Sequence, residues 1–528
     1  MRHAPNNLYG VDIDLFAVNI AKLRLWLSLA IDFEGAKPPP LPNLDFKIER
    51  GDSLTAPNPQ EIPDLFRRLL VESADRLADL KGEFLQSYGA EKKKLAERIK
   101  REEAKLCESL HEQLEPGSVD WRVAFAEAFK GGGFDIVLAN PPYGLLNKKQ
   151  NQKFGHSISP RTALLLKASN EYKPVLRGMV NVCSLFIRRS FSLLRPKGAF
   201  IEIFPLAFAC DWSYALLRAY VLGNHALRRI DAFPERDDTR RRVFASAKMS
   251  VCIMLATRGI GDRQVPFSLR IHHQPLVDPA TPAAIIHPSD LRQFDINCSI
   301  PLVTQSDIDT LKTIYSHSLR LRDIGRCYTG EIDLTQSRKF IRDDARYAPM
   351  YKGAIIDRYR IRERMSQGEI EYVDKAAFLK AKGGNSNSNA WHHNRTRMVL
   401  QGITGINEKI RLKMTLIPPG TFLGNSANYI LLNDTADENE YLFVLAVLNS
   451  QTANYVFKCF STNSNVNGYE VDNLPIPRAS AEDKLRLSAL ARTCLKLYAA
   501  RRNEKGITDE IAQIEREIDE RVAALYGL

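Results

Sequence analysis

The sequence predicts an α/β protein: a Rossmann-like sheet with a helical insertion, followed by a second, α+β domain. Three observations predict it. Phe134–Ala139 (FDIVLA) is apolar and β-branched, lies between three glycines and the prolines of Asn140-Pro141-Pro142-Tyr143, and reads as a buried strand ending in a loop. Two shorter segments upstream also read as strands, Tyr9–Asp14 closed by acids and Leu44–Ile48 running into Gly51-Asp52, and open α/β sheets bind ligands at such carboxyl ends. From Glu61 to Glu115 the chain is dense in Leu, Glu, Lys and Arg and has no proline between Pro63 and Pro116, which is the pattern of long helices.

Size and composition fit that division. The 528 residues suffice for two or three domains, and 44% hydrophobic with 26% charged residues is ordinary for a soluble globular chain. A net charge of +12, with a pI near 9.2, suits a surface that binds a polyanion. The eight cysteines show no zinc or redox spacing and read as reduced thiols of a cytoplasmic protein. No segment has the length and apolarity of a membrane span, and the first ten residues lack a signal-peptide core.

In chain order, the first strand runs into a helix from Leu15, for which Asp14 is an N-cap. After the proline-rich break Lys37–Pro42, Leu44–Ile48 is an alternating strand leading to Gly51-Asp52-Ser53. The Glu61–Glu115 stretch is an antiparallel helix pair broken near Ser87–Gly89, a solvated hairpin or else a DNA- or partner-clamping arm. Asp120–Phe129 reads as one amphipathic helix. After Tyr143, the segment Leu145–Lys173 is basic (Lys148, Lys149, Lys153, Arg161, Lys167) and reads as a loop over the site or a plain surface loop. A helix over Val180–Leu194, a turn at Pro196-Lys197-Gly198, a strand Ala199–Phe204, a helix Tyr214–Leu222 and strands Arg229–Ala232 and Ser250–Ala256 complete the sheet. Residues 1–260 thus form the first domain, with 61–130 as its insertion. Residues 261–300, rich in proline, are a linker, and 301–528 are the second domain with C-terminal helices.

The residue types after Ala139 suit one chemistry. The exocyclic amine of adenine is a poor nucleophile because its lone pair is delocalised into the ring. The amide oxygen of Asn140 and the carbonyl of Pro141, in a turn stiffened by Pro142, can accept its two N–H bonds and favour a pyramidal nitrogen. Tyr143 offers a face on which an extruded base can stack. Asn-Pro is also an ordinary turn; the strand before it and the aromatic after it favour the functional reading.

With that motif the chain resembles the amino-specific DNA methyltransferases that use S-adenosylmethionine (SAM) and carry Asn-Pro-Pro-Tyr. The likeness is to the adenine-N6 gamma class, and within it to the methylase half of type IIG restriction–modification enzymes, strongly over Tyr9–Arg258 and more loosely beyond. The resemblance implies a catalytic set of Asn140, Pro141, Pro142, Tyr143 and Phe244, the last covering the other face of a flipped adenine. It implies that SAM is held by Asp12 at its ribose, Asp52 at its adenine amine, and Asn140. No metal is needed for that step. Arg240, Arg241 and Arg242 beside Phe244 would hold phosphates of double-stranded DNA. The second domain resembles the target-recognition domains of type IIG enzymes and type I specificity subunits, with Asn385–Arg397 as a source of base contacts.

One family element is absent. The glycine-rich SAM loop belongs just before Tyr9, where Met1–Leu8 contain no glycine, so the sheet is expected to be N-terminally incomplete, with the missing segment or a nuclease domain or subunit supplied from elsewhere. The function expected is site-specific transfer of methyl from SAM to N6 of adenine in a restriction–modification system. The alternatives are the methylase and specificity part of a type IIG restriction endonuclease, a DNA-specificity module without catalysis, or transfer to cytosine N4.

Overall fold

The computed structural model describes residues 7–31, 44–61, 64–110, 115–146, 158–259, 265–362, 370–384, 388–500 and 505–528. Lys37–Pro42, Lys148, Lys149, Lys153 and Asn385 to Asn387 lie outside the described residues. The chain divides into two compact units, Met1–Phe208 with Ser213–Pro279, and Ala209–Trp212 with Ala280–Leu528.

In the first unit, β1 (Gly10–Asp12) pairs in parallel with β2 (Ile48–Arg50), Asp12 opposite Arg50. The crossover is α1 (Leu15–Ile31), whose Val18 packs with Leu44 and Ile48. Its first turn is capped by Asp14, whose Oδ1 accepts the Phe16 N–H at 2.9 Å. The strand expected over Leu44–Ile48 begins only at Ile48. Residues 45–47 turn, and Phe46 takes φ +62°, placing its ring edge-on to Phe84 at 5.1 Å.

The inserted hairpin is α2 (Asp64–Gln86) and α3 (Gly89–Leu110), joined where Gly89 adopts φ +61°. It is more than a solvated arm. Leu77, Leu80 and Phe84 meet Leu95, Ile99 and Leu106, and the same core takes in Val123 and Ala126. Lys81, buried, pairs with Glu103 at 3.1 Å and donates to the Ala124 carbonyl at 2.7 Å. The single helix expected over Asp120–Phe129 is two short ones, α4 (Trp121–Ala124) and α5 (Ala126–Lys130). The break at Phe125 (φ −129°, ψ 48°) turns that ring into a cluster with Tyr9, Trp121 and Phe134.

The larger sheet of this unit is built from β3 (Phe134–Ala139), β4 (Leu194–Pro205), β5 (Ala226–Phe233), β6 (Val251–Thr257) and β7 (Phe267–Ile271), in spatial order β3-β4-β6-β5-β7. β3 is parallel to β4, β6 is antiparallel to both β4 and β5, and β7 is parallel to β5. Pro196-Lys197-Gly198 do not precede β4 but bulge within it, with Lys197 at φ +66°, so the register jumps from Phe134↔Leu194 to Ile136↔Ala199. Among the described residues of this unit, β3 is followed by the α-helices α6 (Pro160–Ala168), α7 (Val182–Leu193) and α8 (Ala215–Asn224).

Two expectations are corrected here. The 261–300 linker is largely structured: it contributes β7, a strand at Ala283–Ile286 and a helix at Pro288–Phe294, and the units part between Pro279 and Ala280. β3 was expected to be buried, yet among the described residues it pairs only with β4, and Ile136 (57%) and Leu138 (71%) are exposed.

The second unit contains two four-stranded sheets. The strands of these two sheets are β8 (Gly325–Thr329), β9 (Ile341–Arg342), β10 (Ala348–Tyr351), β11 (Glu371–Val373), β12 (Arg397–Gln401), β13 (Met414–Ile417), β14 (Phe422–Leu423) and β15 (Ala427–Leu432). One sheet has the order β8-β15-β12-β13 and the other β9-β11-β10-β14. α9 (Glu438–Asn449) is buried from Tyr441 onward, and α10 (Ala481–Ala499) and α11 (Lys505–Leu525) pack with it.

Gly133 sets the entry to β3. It sits at φ +123°, and a Cβ there would lie 2.4 Å from the Leu193 carbonyl oxygen. Gly133→Ala is therefore expected to cost roughly 2–4 kcal/mol, read as a lower denaturation midpoint, whereas Gly82→Ala, with open space at its Cβ, should be neutral or better.

Candidate active site

The loop Asn140-Pro141-Pro142-Tyr143 leaves the carboxyl end of β3. The Tyr143 hydroxyl lies 2.8 Å from Asn140 Oδ1 and 2.9 Å from the Ile203 carbonyl of β4, so its proton serves one acceptor at a time. Burial pushes the Tyr143 phenol up, and it stays neutral and able to donate. Asn140 is thereby held by its own loop, with its side chain still exposed.

A residue the sequence reading missed anchors this loop. Asn181 Oδ1 accepts the Gly144 N–H at 3.3 Å while capping α7 through the Cys183 N–H at 3.1 Å. Two main-chain bonds, Leu146 to Val180 and Val182 to Gly144, complete the join. The signal was an asparagine directly before an apolar-periodic helix, which is an N-cap pattern.

Phe244 is brought to the same place: its ring meets Tyr143 edge-on, with centroids 6.2 Å apart and planes at 61°. The charged run before it stiffens itself. Glu235 Oε1 accepts the main-chain N–H groups of Arg236, Asp237 and Asp238, and Asp238 Oδ1 accepts that of Arg240. Arg241 donates to the His273 carbonyl and Arg242 to those of Arg236 and Ala245. The Arg240 side chain points to solvent.

Asp12 and Asp52 form a second group. The Gly51 N–H donates to the Asp12 carbonyl at 2.9 Å, so the two acid-bearing turns are adjacent at the carboxyl ends of β1 and β2. Asp12 Oδ1 accepts the Asp14 N–H and Asp52 Oδ1 accepts that of Leu54, each at 2.8 Å. Gly51 has no room for a side chain, because a Cβ would lie 2.2 Å from Val119 Cγ2. The chain after Asp52 is clamped from α7: buried Arg189 pairs with Glu171 at 2.9 Å and donates to the carbonyls of Leu54, Ala56 and Pro57. Tyr172 adds a hydroxyl bond to Leu54 at 2.8 Å. Sequence reasoning missed Arg189 and Tyr172, since a buried arginine on an apolar helix face announces no partner.

The two groups share one aromatic core. Tyr9, just before β1, packs against Phe134 of β3 at 5.4 Å, yet β1 and β3 belong to separate hydrogen-bonded sheets. Behind the loop, Glu202 of β4 lies opposite Ala139 and is fully buried, bonded to Ser190. Burial raises its carboxyl to about 8.

Residues 6–239 match the model of the Eco57I restriction-modification methylase family. The match runs from before β1 to the charged run that precedes Phe244. Over 324 residues the chain is 23% identical to a Methanocaldococcus jannaschii protein described as a type II restriction enzyme and methyltransferase, covering 47% of this chain and 26% of the relative. Over 91 residues it is 29% identical to the Thermus thermophilus type II methyltransferase M.TthHB8I, covering 17% of this chain and 20% of the relative. The chain thus matches a quarter or so of these relatives' length. The cryo-EM structure of a DrdV–DNA complex is similar in fold, with a TM-score of 0.50 at 11% identity, over 94% of this chain and 51% of that one. The similarity is to restriction–modification methyltransferases.

The buried Glu202 carboxyl gives a pH dependence. Its folded value is raised, so the folded state holds the proton more tightly, and the stability this contributes is complete below the ordinary carboxylate value of 4.5. It is lost from there up to about pH 8, at about 1.4 kcal/mol per pH unit. Denaturant melts across that range should show a flatter profile for Glu202→Gln than for the native chain.

Proposed function

We propose that the first unit transfers methyl from SAM to N6 of adenine in a specific double-stranded DNA site, as part of a restriction–modification system. The observation that carries this is the Asn140 amide oxygen held by Tyr143 at the end of β3, with the Phe244 ring beside it. Asn140 Oδ1 and the Pro141 carbonyl accept the two amine hydrogens and keep the nitrogen lone pair directed outward, as prealigned dipoles. Tyr143 and Phe244 bracket the extruded base, which enters as Phe244 gives up its edge-on contact. Catalysis then rests on positioning.

The acidic turns fit the cofactor. Asp12 and Asp52 each spend one carboxylate oxygen on a local main-chain N–H, and the other has no hydrogen bond among the described residues. Those oxygens suit the ribose hydroxyls and the adenine amine of SAM, which when bound supplies an electrophilic methyl group. The separation of β1–β2 from β3–β4 supports the reading that the sheet is completed by a further parallel strand, from polypeptide outside residues 1–528, covering Ile136 and Leu138. The same feature favours the alternative that the chain is the methylase and specificity part of a larger type IIG restriction endonuclease. The second unit is read as the DNA-recognition domain, a reading supported by fold likeness to DrdV, whose structure is a DNA complex.

The deciding experiment measures labelled methyl transfer from SAM to mixed DNA by this chain, alone and co-expressed with any polypeptide encoded immediately upstream. N6-methyladenine should form, and Asn140→Ala should lower the rate by about 10²–10³-fold. Product found only as N4-methylcytosine would replace adenine in the reading. Specific DNA binding without transfer under either condition would leave a specificity module.

A further inference from the structure

A cleft of about 390 Å³ opens in the second unit at the end of the β8–β15 pair. Arg322, Arg326, Tyr328, His392, Arg395 and Asp434 line it. We propose that it binds a nucleic-acid strand, with a phosphodiester on Arg322 and Arg326 and the adjoining base against Tyr328 and His392. The proposal rests on the DNA-substrate reading above and assigns it a contact surface in the second unit.

Charge is the first argument. Three guanidinium groups face the cleft with one carboxylate, and that carboxylate, Asp434, pairs with Arg395 at 2.7 Å. Arg326 is exposed and has neither an ion pair nor a side-chain hydrogen bond among the described residues. Arg322 is oriented by an amide, Asn473 Oδ1 at 3.1 Å, which directs it without neutralising it. A further acid that both arginines attract, Asp472, accepts the Cys327 N–H at 2.7 Å and forms no ion pair with either. A cleft whose one lining carboxylate is already paired with Arg395, leaving Arg322 and Arg326 without an ion pair among the described residues, suits phosphate oxygens, which match the planar donor fork.

Rigidity is the second. Tyr328 meets His392 edge-on at 5.0 Å and stacks on Tyr429 at 5.4 Å, while His392 Nδ1 lies 2.9 Å from the Tyr429 hydroxyl. Burial and the cations Arg395 and Arg397 hold the His392 imidazole neutral, so it adds an aromatic surface rather than a further charge. Gly325 permits the close approach that forms the cleft floor, since a Cβ there would lie 2.7 Å from the Leu431 carbonyl oxygen. A preset aromatic wall beside unpaired arginines is the arrangement that takes a base and its phosphate together. The volume exceeds what a lone phosphate fills.

A free nucleotide shares this chemistry, and the test separates the two. Binding of labelled duplex DNA to the full chain is measured by anisotropy over a salt series for the native protein, Arg326→Glu, Arg322→Ala and Arg326→Lys. Arg326→Glu and Arg322→Ala should each weaken binding about tenfold or more. Each should make the plot of log affinity against log salt shallower by about one per arginine, with Arg326→Lys keeping the native slope because it keeps the charge. The melting midpoint of Arg326→Glu should be unchanged, because that side chain is exposed and has no partner among the described residues. Native affinity and salt slope in Arg326→Glu would overturn the proposal, as would adenosine monophosphate that binds the cleft without competing with DNA. A native chain that binds no DNA would overturn the DNA reading itself, so the two failures are distinct.

Discussion

The parallel ladder between β3 and β4 is the constraint on which the candidate site depends. It sets Ala139 opposite Glu202 and so fixes where Asn140 leaves the sheet. It also brings the Ile203 carbonyl within 2.9 Å of the Tyr143 hydroxyl, so the loop is tied to the neighbouring strand as well as to itself. The bulge at Pro196-Lys197-Gly198 and the glycine at position 133 both serve that register, one by absorbing extra chain and the other by letting the backbones approach. Asn181 then fastens the far end of the loop to α7, and Arg189 on the same helix fastens the chain that follows Asp52. One helix thus holds both halves of the site.

Much of this was legible in the sequence because it is local. Phe134–Ala139, the helix pair broken at Gly89, the Asp14 cap and the strands on either side of Phe244 follow from periodicity and turn chemistry, which act over a few residues. What was misread depends on partners distant in sequence. Phe46 turns out of strand geometry to reach Phe84, and Phe125 breaks a helix to enter a cluster with Tyr9 and Phe134. β7 resembled linker because prolines surround it, while its place in the sheet comes from β5. Arg189 and Tyr172 were invisible for the same reason: their meaning lies in carbonyls more than a hundred residues away.

The second unit shows the opposite balance. Its strands are short, and their order interleaves segments from both ends of the unit, so β8 pairs with β15 and β10 with β14. No window of sequence contains such pairings. Close approaches flank them: Gly330 and Gly353 would each place a Cβ within 2.2 Å of a main-chain oxygen in the turn at residues 424–426. The buried pair Arg397–Glu331 and the network of Arg411 with Thr404, Ser461 and Asn463 fill the spaces between these short strands with polar groups. Such polar interiors reward one arrangement over its alternatives more than they add to stability.

The bare flank of β3 has a consequence for the life of the chain in a cell. Among the described residues that edge has no second strand, and an apolar edge left unpaired is a template for pairing with other copies of itself, with Ile136 and Leu138 exposed beside it. A molecule that keeps this edge unpaired is drawn toward aggregation and proteolysis in proportion to its concentration. Under the proposal that a further strand covers this edge, the steady-state level would follow the supply of that strand, a stoichiometric quality control written into the sheet itself.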